Sequence, residues 1–73
     1  MKQYKFEAFC AGIDVEMNSD DYQELKSLYN DYKKRGDCFK GHIVSNVTGE
    51  VFRSFHKEFA FGGVEVTEWV SLY

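Results

Sequence analysis

The stretch "NSDDYQELKSLYNDYKKRG", residues 18–36, decides the fold. Tyr22, Leu25, Leu28, Tyr29 and Tyr32 recur at three- and four-residue spacing, which gathers them into one apolar stripe of a helix. Asp20, Asp21 and Glu24 stand where the helix dipole favours acids, and Lys33, Lys34 and Arg35 where it favours bases. Asn18 or Ser19 can cap the start, and Gly36 suits a left-handed closing residue. The spacing predicts a helix from about Ser19 to Arg35. Its stripe must be buried against something flat, and the segments on both sides of it alternate as strands do.

Upstream, "YKFEAFCAGIDVEM" folds as a hairpin with Ala11 and Gly12 at the turn. Cys10 then faces Ile13, Ala8 faces Val15 and Phe6 faces Met17, and all six share one side. The other side carries Lys5, Glu7, Phe9, Asp14 and Glu16, with Glu7 opposite Glu16, a like-charge pair that needs relief from Lys5 or a partner.

Downstream, "CFKGHIVSNVTGEVFRSFHKEF" turns at Asn46-Val47-Thr48-Gly49, which suits a type I turn closed by a bulge glycine. In that register Val44 faces Phe52, Ile43 faces Arg53 and Gly41 faces Phe55. The side bearing Phe39, Ile43, Val51 and Phe55 is the more apolar and is expected to meet the helix. The tail "VEVTEWVSLY" alternates with β-branched residues and reads as a strand, with a helical stripe of Val66, Trp69, Val70 and Tyr73 as the alternative. The expectation is a single α+β domain over residues 1–73, an antiparallel sheet of four or five strands with one helix on one face, in the order β-β-α-β-β-β.

One helix covers only one face of such a sheet. The far face would hold Phe9, Val44, Phe52, Trp69 and Tyr73, an aromatic patch of the kind that marks an interface. The alternative is that "KEFAFGG" folds back as a lid, with Phe59 and Phe61 making a second small core. The acidic residues Asp14, Glu16, Asp20, Asp21 and Glu24 form a lobe able to steer the protein toward a basic surface.

Nine basic and twelve acidic side chains give a net charge of −3, which opposes dedicated binding to duplex DNA or an anionic membrane. Lys26, Lys33, Lys34, Arg35 and Lys40, taken with the aromatic residues, leave single-stranded nucleic acid as an alternative ligand. Hydrophobic residues make up 44% of the chain and aromatic ones 18%, too much for a disordered segment. No apolar run is long enough to span a bilayer, and the first residues lack the continuous apolar stretch of a signal peptide, so a cytoplasmic protein is expected.

Cys10 and Cys38 have no partners at zinc-binding spacing and are expected as reduced thiols in or near the core. His42 and His56 could lie near one another but lack a third ligand. No catalytic, cofactor or metal motif is present, so the expectation is a protein without enzymatic activity or cofactor.

The hairpin "IVSNVTGEVFRSF" and the acidic run from Asp14 to Glu24 give the chain a style that resembles the small, acidic, aromatic-rich proteins of bacteriophages and mobile elements. The resemblance covers style across the chain and carries over no functional residue. It implies a stoichiometric inhibitor of a host defence nuclease or polymerase, such as an anti-CRISPR or anti-restriction protein, acting in the host cytoplasm. A self-associating protein that buries the same face against a second copy is the other expectation.

Overall fold

A computed structural model describes residues 1–71. Five strands and one helix follow in the order β1 (Tyr4–Cys10), β2 (Ile13–Ser19), α1 (Tyr22–Lys34), β3 (Cys38–Ser45), β4 (Val51–Ala60) and β5 (Gly63–Val70). The strands make one antiparallel sheet in the spatial order β2-β1-β3-β4-β5. The α+β architecture and the order β-β-α-β-β-β agree with the reading of the sequence, and the tail through Val70 is a strand.

The first hairpin has the expected register, Cys10 with Ile13, Ala8 with Val15 and Phe6 with Met17. Gly12 and Gly49 both sit at φ 78°, a left-handed conformation that a Cβ disfavours, and each lies in the turn that joins two strands. Glu7 does lie opposite Glu16. Its charge is relieved from the other side, because β3 places His42 Nε2 3.0 Å from its carboxylate and Lys5 Nζ stands at 3.6 Å. Hydrogen bonding to His42 holds the Glu7 carboxyl below its usual value despite some burial, and Lys5 adds to the effect.

The helix starts later than the spacing predicts. β2 continues through Ser19, so the cap falls to Asp21, whose Oδ1 accepts from the amides of Gln23 at 3.0 Å and Glu24 at 3.4 Å. Ser19 Oγ instead accepts from the amide of Asp21. At the other end Arg35 caps the helix in an extended conformation, and Gly36 is not left-handed.

One face of the sheet lies beneath α1, which packs on β1, β2 and β3. Phe6, Ala8, Leu25, Tyr29, Ile43 and Phe55 form the core, all at most 2% exposed. A side chain such as Leu25, fully withdrawn from water, contributes roughly 2 kcal/mol. Arg53 is buried on this face as well. Its Nε donates to the Tyr22 hydroxyl at 3.1 Å and its guanidinium lies over the Tyr29 ring.

Two further departures from the sequence reading come from bulges. Between β3 and β4 the register is Ile43 with Arg53 and Gly41 with Phe55, as expected, but Val44 faces Val51 rather than Phe52. The extra residue is Phe52, and a bulge turns its side chain out of simple alternation. Val51 therefore joins Val44 on the open face, and Phe52 packs beneath the helix against Tyr4 and Tyr22, at ring separations of 5.6 and 5.8 Å. A second bulge, where β1 meets β3, brings Cys10 opposite Cys38. The two are joined as a disulfide, so the expectation of reduced thiols is corrected. Cys38 is fully buried.

Candidate protein-interaction surface

Neighbouring strands lie about 4.8 Å apart and a helix with its side chains is about 10 Å across, so one helix shelters little more than two strands. On this sheet α1 shelters the β1 and β3 half. It reaches β5 through Glu68, whose carboxylate accepts from the Tyr29 hydroxyl at 2.6 Å and from Lys33 Nζ at 3.1 Å. Burial pushes the Tyr29 hydroxyl pKa well above its ordinary value, and the hydrogen bond to Glu68 reinforces this. Desolvation raises the Glu68 carboxyl pKa, but the Tyr29 and Lys33 hydrogen bonds outweigh it and leave the group below its usual value.

Beyond that anchor the hairpin of β4 and β5 is uncovered. The ladder between β3 and β4 runs only from Lys40 with His56 to Val44 with Val51, so residues 57–66 extend past it. Register places Val64 opposite Phe59, Val66 opposite Lys57 and Val70 opposite Arg53, all on the helix side of the sheet. Phe59 is 79% exposed, Val64 53% and Val66 52%, while Phe61 at the turn is fully exposed. Phe39, half-buried, packs against Phe59 at a ring separation of 5.9 Å. The segment "KEFAFGG" is thus the projecting end of a hairpin, and the alternative in which it folds back as a lid does not form. On the opposite side of the same hairpin Glu58 faces Glu65, and His56 Nε2 lies 3.1 Å from Glu58.

The residues expected on an aromatic far face are dispersed. Phe9 and Val44 are half-buried on the open face, Phe9 beneath the Lys40 ammonium at 4.8 Å and near the His42 ring. Trp69, 53% exposed, shares that face but lies opposite Ser54, with β3 and β4 between it and Phe9. Phe52 is on the other side, and Tyr73 lies outside the described residues. The open face is accordingly a mixed surface in which Lys5, Glu7, Lys40 and His42 separate the aromatic groups. His42 and His56 each take a glutamate of their own.

The acidic lobe is divided in the same way. Asp14 and Glu16 stand on the open face of β2, opposite Phe9 and Glu7. Asp20 accepts from the amide of Gln3 at 2.9 Å and pairs with Lys2 at 3.6 Å, and Asp21 is the helix cap. Asp20 and Asp21 therefore serve the fold, whatever they add to the field around it.

Sequence reasoning did not single out Val64, Val66 and Val70 as surface residues, because alternation alone does not say which side of a strand is covered. The helix diameter set against the width of five strands is the signal that exposes them. Phe52 lines a cleft of about 570 Å³ with Tyr4, Tyr22, Lys26 and Glu50. Among the described residues no three His, Cys, Asp or Glu side chains gather where they could hold a metal ion, and no helix is long and apolar enough to cross a membrane. No family model, curated protein or solved structure matches the chain.

Proposed function

We propose that this is a non-catalytic binding protein that occupies a surface of a protein partner, with the β4–β5 hairpin as its contact element. The observation that carries the reading is the uncovered apolar flank of that hairpin, where Phe59, Phe61, Val64 and Val66 stand exposed together. Exposed apolar residues in one contiguous patch mark interaction sites more often than scattered ones do. Phe59 and Phe61 are the anchors, because buried aromatics carry a disproportionate share of interface energy. Glu58 and Glu65 beside them, with Asp14 and Glu16 at the opposite edge, favour a partner with a basic surface and act mainly on the rate of encounter. A host defence nuclease or polymerase, inhibited stoichiometrically, fits that description and the style of the sequence.

The test is affinity purification of the tagged protein from the cells that encode it, alongside a Phe59→Asp/Phe61→Asp variant. The parent is expected to retain a basic protein that the variant loses while keeping its melting temperature. Equal retention by both, or recovery of nucleic acid with no protein, refutes the reading.

A further inference from the structure

The outer edge of β5 pairs with no strand among the described residues, and all eight of its residues are exposed. Such an edge presents a row of unpaired N–H and C=O groups, which is a template for a further strand. We propose that β5 pairs antiparallel with β5 of a second copy across a two-fold axis at Thr67, forming one continuous ten-stranded sheet. This goes beyond the partner reading, because it uses the edge of the hairpin rather than its apolar flank and tip.

Charge and the length of the ladder together select the strand and the register. Residues directly opposed in an antiparallel pair share a face, so self-pairing allows only registers that set like parity against like. A two-fold at Glu65 or at Glu68 opposes two identical carboxylates and is disfavoured. A two-fold at Val66 opposes no two acids, but it sets Val70 against Gly62 beyond the end of the strand and so pairs less of it. A two-fold at Thr67 instead pairs Val64 with Val70 twice, Glu65 with Trp69 twice and Val66 with Glu68 twice. It also uses the whole strand, Gly63–Val70, with Gly63 reaching Ser71 just past its end and no acid opposite an acid. The two Glu68 carboxylates then lie diagonally, and each is already held by Lys33 of its own chain at 3.1 Å.

The other edge does not offer this. Self-pairing of β2 about Asp14 or Glu16 opposes identical acids, about Val15 it sets Asp14 against Glu16, and about Met17 it pairs only residues 15–19 and brings Asp14 against Asp20 just beyond them. Pairing β2 with β5 of another copy would not close, whereas the β5 two-fold is closed at two chains. In that dimer the two hairpin tips point in opposite directions, which offers a partner two binding sites.

Thr67→Cys tests the register. Cys10 and Cys38 are bonded to each other, so the new thiol is the sole free one among the described residues. Mild oxidation is expected to join two chains through residue 67 nearly completely, while Val64→Cys, some six residues from its own copy along the pair, gives little cross-linked product. Sedimentation of the parent should show a monomer–dimer equilibrium. Thr67→Glu, which opposes two acids at the axis, should weaken that equilibrium about tenfold or more with an unchanged circular dichroism spectrum. A parent that remains monomeric at millimolar concentration, or equal cross-linking of the two cysteine variants, overturns the proposal. Loss of the dimer in Thr67→Glu with partner retention intact separates this interface from the contact made by Phe59 and Phe61.

Discussion

Reduction of the Cys10–Cys38 disulfide is expected to cost a third or more of the stability of this protein. The bond joins β1 to β3 and closes a loop of 28 residues in sequence, which contains β2 and the whole of α1. Constraining an unfolded chain over a loop of that length is worth about 3 to 4 kcal/mol in the loop-entropy treatment. A domain of this size has a total stability on the order of 4–11 kcal/mol, so the bond supplies a third or more of it. The corresponding fall in melting temperature is roughly 15–25 °C. Differential scanning calorimetry with and without a phosphine reductant measures it. Reduction isolates the loop effect better than substitution, because Cys38 is fully buried and its replacement would add a packing change. Melting within about 2 °C in both states would refute the loop argument, and two thiols that alkylate fully without reductant would refute the bond itself.

Gly41→Ala is expected to destabilise the fold by about 1–3 kcal/mol in urea titration, because its Cβ would stand 2.7 Å from Cε1 of the buried Phe55 and 3.1 Å from the carbonyl oxygen of Glu7. Phe52→Ala should lower stability by about 2 kcal/mol, as removal of a half-buried ring from between Tyr4 and Tyr22 would, without abolishing partner binding. Glu68 has a folded pKa below its unfolded one, so its contribution is present above the unfolded value and disappears as pH falls through the lowered one. Thermal melts of the parent between about pH 5 and pH 3 should therefore fall more steeply than those of Glu68→Gln.

The sequence by itself determined the elements and the first register. The stripe of Leu25 and Tyr29 makes α1 amphipathic through local periodicity, and the pairing of Phe6, Ala8 and Cys10 with Met17, Val15 and Ile13 follows from alternation about a two-residue turn. These patterns repeat over short chain distances, so they can be read without knowing what lies alongside. The neighbours of β1 were a different matter. Whether β3 lay beside it, and in what phase, depended on contacts between residues 28 and more apart, and the bulge that sets Cys10 against Cys38 leaves no mark in either segment. Phe52 shows the same limit. Simple alternation sends it to the open face, but one bulge residue reverses its side, and the Tyr4 and Tyr22 rings that receive it come from two other elements. The exposed flank of β5 was likewise decided by tertiary structure, since the valines alternate whether or not a helix covers them. It is the placement of a single helix over β1 and β3 that leaves them in water.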